Sequence, residues 1–95
     1  MDTAKLTLIV KAIVSEQQTI IGPMAIDEAN KVSGLKISVD MRDVTVSGEA
    51  KIVLQNLVGQ YQKLFGQASV EACKESIKQI LPQIPRQEIP EFLVQ

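Results

Sequence analysis

The sequence predicts an α+β domain with the order α-β-β-α. Three observations predict it. Apolar residues recur at helical spacing from Thr3 to Lys31, alternate with a period of two between Leu35 and Ser47, and return to helical spacing from Glu49 to Leu81. With 95 residues, 45% apolar and 22% charged, the chain has the balance of one folded domain with one modest core. Its aromatics are Tyr61, Phe65 and Phe92 alone, so that core must be aliphatic.

Leu6, Ile9, Val10, Ile13, Val14, Ile20, Ile21, Met24 and Ala25 trace one face of a first helix, spanning 3–33. Asp2 or Thr3 can cap its start. Gly34 is placed to stop it in a left-handed conformation, with Leu35 folding back on the last turn. A hairpin follows over 35–47. Ile37 and Val39 alternate with Ser38 and Asp40, and Val44 and Val46 with Thr45 and Ser47. A turn at Asp40–Asp43 would pair Val39 with Val44 and Ile37 with Val46, giving one dry face and one wet face.

Ser47 or Gly48 opens the second helix, over 49–81, with Glu49 close to its positive end. Leu54, Leu57, Tyr61, Leu64, Phe65, Ala68 and Ala72 form its apolar stripe, and Pro82 stops it. Residues 1–81 are thus a single domain, with the two long helices packed on one face of the hairpin. Residues 82–95, with Pro82, Pro85 and Pro90, read as an extended C-terminal arm. That arm carries Ile84, Ile89, Phe92 and Leu93, which are candidates for docking into a partner's groove, Phe92 foremost. Packing of the arm on its own domain or on a dimer mate is the equal alternative.

A repeat runs through the two helices. Slid by 44 positions, Leu8–Asp27 falls on Ile52–Glu71, with identities at Val14/Val58, Gln18/Gln62 and Gly22/Gly66. The glycines have a geometric use. At about 1.5 Å per residue a straight helix over 3–31 would be roughly 43 Å long, against a diameter of roughly 32 Å for a domain of this size. Gly22-Pro23 therefore reads as a kink, and Gly66 as its gentler equivalent. Ala25 and Ala29 follow the first, Ser69 and Cys73 the second, and small side chains at that spacing allow helices to cross closely.

The chemistry that can be looked for is mostly missing. The sequence has no histidine and one cysteine, which leaves no zinc set, no Cys-His pair and no disulfide. No phosphate-binding glycine loop occurs, so no cofactor, no metal and no catalytic constellation is expected. Asp40, Asp43 and Glu49 read as turn former and cap rather than cation ligands. Ten basic residues against eleven acidic ones give a net charge of −1, and neither strand carries an aromatic to stack a base, so nucleic acid is a disfavoured partner. Asp2 and Lys11 disqualify the apolar start as a leader, no run is long enough to cross a membrane, and the lone thiol suits a reducing cytoplasmic setting.

The expected function is that of a small non-enzymatic homodimer acting as a protein-interaction or regulatory module, with hairpins of two copies joined in a four-stranded sheet. A heterologous protein partner for the arm fits the same pattern. The alternatives are a carrier of an apolar ligand, with Met24 and Cys73 in the wall of its cavity, and a nucleic-acid-binding dimer.

Overall fold

Pro23 has no backbone N–H and disfavours helical geometry in the residue before it, so a helix reaching Gly22 cannot run on through it. The computed structural model describes residues 3–84 together with Ile89, Pro90 and Leu93. In it the first helical stretch is two helices, α1 at Thr3–Ile21 and α2 at Met24–Ala29. The Gly22 N–H ends α1 by donating to the Gln18 carbonyl at 2.8 Å, and the Gly22 carbonyl starts α2 by accepting from Ala25 at 3.0 Å. Strands β1, Leu35–Ile37, and β2, Val44–Val46, come next, then α3, Ala50–Phe65, and α4, Gln67–Ser76. Among the described residues the protein is thus a small α+β fold of four α-helices and one two-stranded antiparallel hairpin.

The expected gentle bend at Gly66 is a full break. Its backbone, at φ +79° and ψ −166°, lies in a region that is essentially closed to other residues. The hydrogen bonds repeat those at Gly22. The Gly66 N–H donates to the Gln62 carbonyl at 2.9 Å, and its carbonyl accepts from Ser69 at 3.1 Å. In place of continuous helices over 3–33 and 49–81, each half is therefore a long helix followed by a short one. The 19-residue α1 is about 28 Å long, which fits the molecule's longest dimension of 30 Å. Beyond α4 the chain turns at Ile77 and forms a short 3-10 turn at Leu81–Gln83, with Pro82 inside it.

The packing crosses between the halves. Helix α1 lies against α4, α2 and β2, while α3 lies against α4 and α2. Ile9, Val10, Ile13 and Val14 of α1 meet Leu54, Leu57, Val58 and Tyr61 of α3 in one aliphatic core that also takes in Leu35 and Ile37 of β1.

The hairpin register differs from the expected one by two residues. Leu35 pairs with Val46, Lys36 with Thr45 and Ile37 with Val44. Val39 is left at the tip, 89% exposed. The reason is the loop's own hydrogen bonding. The Asp40 carboxylate accepts from the Ser38 hydroxyl at 2.7 Å and from the Arg42 N–H at 3.1 Å. Ser38 and Asp43 close the loop, Ser38 N–H to the Asp43 carbonyl at 2.9 Å and Asp43 N–H to Ser38 Oγ at 3.0 Å. A slip of two residues preserves side-chain parity, so the dry face keeps the expected residues apart from Val39 and gains Leu35.

Gly34 sets the start of this hairpin. Its φ is +87°, its carbonyl accepts from Ser47 N–H at 2.7 Å, and a Cβ there would run into the Ser47 carbonyl oxygen. Gly34→Ala is expected to cost about 2–3 kcal/mol in urea unfolding. Gly22→Ala has open space around the added carbon, and should cost only the left-handed backbone term of about 1–2 kcal/mol.

Candidate functional site

The small residues that follow each break sit where the halves cross. Ala25, Ala29 and Cys73 are fully buried, and Ser69 is nearly so. Each short helix receives a side chain from the long helix of the other half. The Tyr61 hydroxyl on α3 donates to the Ala25 carbonyl on α2 at 2.6 Å. Gln17 Nε2 on α1 donates to the Ser69 carbonyl on α4 at 3.1 Å, with Cys73 Sγ at 3.4 Å. Tyr61 stands 44 positions after Gln17, and Ser69 stands 44 after Ala25. The two hydrogen bonds are therefore exchanged counterparts, and the repeat is a feature of the fold as well as of the sequence. The match has one flaw. A tyrosine offers a single hydroxyl, whereas Gln17 also brings in Oε1, which is buried without a partner.

Of the proposed docking residues, Ile84, Ile89 and Leu93 are buried at 6%, 3% and 2% exposure in the chain's own core. Phe92 lies outside the described residues. The Lys5 ammonium helps hold this region down, donating to the Gln83 carbonyl at 2.8 Å. An arm extended away from the domain does not describe these residues, because their apolar side chains find cover on the chain itself.

The hairpin edges are unequal. In an antiparallel pair, alternate residues turn their N–H and C=O toward the partner strand and the residues between turn theirs outward. The Ser47–Gly34 and Ser38–Asp43 bonds fix the phase, so Leu35, Ile37, Val44 and Val46 are the outward-turned residues. On β1 most of these groups are occupied. Leu35 N–H donates to the Val32 carbonyl at 3.2 Å. The Asn30 side chain stands in for a neighbouring strand, its Nδ2 donating to the Ile37 carbonyl at 3.0 Å and its Oδ1 accepting from Ile37 N–H at 2.7 Å. On β2 the outward N–H and C=O of Val44 and Val46 have no partner among the described residues. Burial follows the same asymmetry, for Leu35 and Ile37 are buried whereas Val44 and Val46 are only half-buried.

The remaining surface offers less. Leu8 and Ile52, both 50% exposed, and Ile20 and Leu64, at 57% and 46%, are repeat-matched apolar positions on the helices. Two grooves of about 440 and 520 Å³ share Asn30, Lys36 and Thr45 and are lined mostly by polar side chains. Met24 and Cys73, expected in the wall of an apolar cavity, line neither; Met24 is half-exposed and Cys73 is packed in the core. Among the described residues no group of His, Cys, Asp or Glu is arranged to hold a metal ion, and no helix is long and apolar enough to cross a membrane.

Of these residues, Asn30 and Gln17 are ones that sequence reasoning passed over; Gln17 is a polar side chain on the buried face of α1. The only signal for Asn30 is a hydrogen-bonding side chain just after a helix end and seven residues before the strand position it meets.

Burial pushes the Cys73 thiol up from its ordinary 9.0 to about 11 and raises the Tyr61 hydroxyl as well. Both groups favour the protonated form in the fold. The stability that Cys73 contributes is whole below about pH 9 and is lost as pH rises through about 11, while that of Tyr61 is whole below about pH 10 and is lost at higher pH still. Cys73 in the native protein is expected to resist a thiol reagent at pH 7 and to react only as fast as the fold opens; rapid native labelling contradicts the packing described. Tyr61→Phe should cost about 1 kcal/mol in denaturant unfolding, the loss of one hydrogen bond with the ring retained.

Known protein families, curated proteins and solved structures contain no match to this chain, so its role has to be read from its own geometry.

Proposed function

We propose that this protein is a homodimeric interaction module, joined edge to edge through β2, with no catalytic role of its own. The observation that carries the reading is the unequal treatment of the hairpin. Three of the four outward backbone groups on β1 are bonded within the chain, while among the described residues none of the four on β2 has a partner. A two-stranded hairpin is marginal by itself, and a free edge is a template for another strand. Two copies paired along β2 form a four-stranded sheet, with the helices of both copies on its dry face. That arrangement also covers the half-buried Val44 and Val46. Two-fold dimers are the commonest soluble assemblies, and a self-complementary edge needs no second kind of chain.

Light scattering over a wide concentration range tests this directly, and a dimer mass is expected. Val46→Pro removes one outward N–H while leaving the internal ladder intact, as proline on a strand edge is allowed to do. It should shift the mass toward the monomer with the helical circular dichroism retained. A wild-type monomer at all concentrations would overturn the proposal.

A further inference from the structure

Resting on that reading, we infer that the two-fold axis of the dimer passes beside Thr45, with Val44 of each copy bonded to Val46 of the other. The free backbone groups determine this register. Antiparallel pairing about Thr45 uses every outward group on β2, giving four N–H···O=C bonds between the strands, two at each Val44–Val46 pair.

The neighbouring registers fail on specific atoms. Centring the axis on Val44 would set Val46 against Arg42, whose N–H is already committed to the Asp40 carboxylate at 3.1 Å. Centring it on Val46 would set Val44 against Gly48, which at φ +97° has left the extended conformation. Thr45 is what remains.

Side chains agree with that choice. The pairing keeps Val44 and Val46 of both copies on the dry face, beside the buried Ile37 and Leu35. Across the axis the two Thr45 side chains meet on the wet face as a close non-hydrogen-bonded pair, a setting that suits threonine. The loop end of one strand then lies beside the helix end of the other. The next outward-turned positions in this register are Arg42 of one copy and Gly48 of the other, where β2 has ended and the pairing stops.

Cysteine bridging and a charge substitution test the register. Thr45→Cys is expected to form an interchain disulfide readily under mild oxidation, since a directly opposed pair lies within bridging distance. Buried Cys73 does not compete. Ser47→Cys should bridge at least tenfold more slowly, because in this register the two copies' residues 47 are about 13 Å apart along the sheet. Thr45→Glu gains Lys36 as a cross-strand partner within the monomer, yet opposes two carboxylates across the axis. It should weaken the dimer at least tenfold in dissociation constant while the helical signal stays unchanged. A dimer in which Ser47→Cys bridges as fast as Thr45→Cys, or in which Thr45→Glu leaves the mass unaffected, overturns the register and leaves the dimer standing. A monomeric wild-type protein overturns both.

Discussion

A helix unbroken over residues 3–31 would be roughly 43 Å long, and the molecule measures 30 Å in its longest direction. The chain must break its helices to fit its own core, and the rest of the structure follows from how it does so. Both breaks fall at the same repeat position, and each glycine makes the same two hydrogen bonds to the same kinds of neighbour. The short helices so released cross to the opposite half. There α4 packs on α1 and α2 packs on α3, and Gln17 and Tyr61 fasten the exchange from buried positions. Ala25 and Ser69 are small because a donor from another helix must reach their backbone carbonyls.

This exchange determines where the hairpin sits. With α2 delivered beside the sheet, the residue just past its end, Asn30, meets β1 at Ile37 and satisfies both of that residue's outward backbone groups. Gly34 then closes the connection, because its carbonyl must take the Ser47 N–H with no side chain in the way. The sealed edge and the tight start of the sheet are consequences of one crossover. Glu28 adds a polar tie on the same side, bonded to Lys31 at 2.9 Å and to Gln60 of α3 at 2.8 Å, and these partners hold its carboxyl below the usual carboxylate range.

Much of this was legible in the residues. The order of elements, the aliphatic core, the positions of both breaks and the left-handed backbone of Gly34 follow from apolar period and from glycine and proline placement, although α2 ends at Ala29, before the stop expected at Gly34. Residue periodicity is less informative about register. Val39 and Leu35 have the same parity, so the alternation fits either pairing, and only the side-chain bonds of Ser38 and Asp40 select the longer loop. The C-terminal prolines suggested an extended arm, because proline spacing reports local backbone preference and says nothing of the cover waiting on the domain. Ile84, Ile89 and Leu93 are buried by tertiary packing that no local pattern encodes.

The candidate site was the least legible part, for a physical reason. Its active groups are backbone N–H and C=O, which every residue but proline carries, so no residue type marks them. What distinguishes the two edges is whether another part of the chain reaches them. Natural sheets guard a free edge with an inward charge, a proline, a bulge or a covering segment. The β1 edge is guarded by Asn30. Val44, Thr45 and Val46 on β2 include neither charge nor proline, and their strand is regular. A chain that seals one edge with a dedicated side chain and leaves the other uncharged, extended and half-covered has made the two edges different. In the dimer we propose, the four outward groups of this short edge would meet those of an identical strand turned about Thr45.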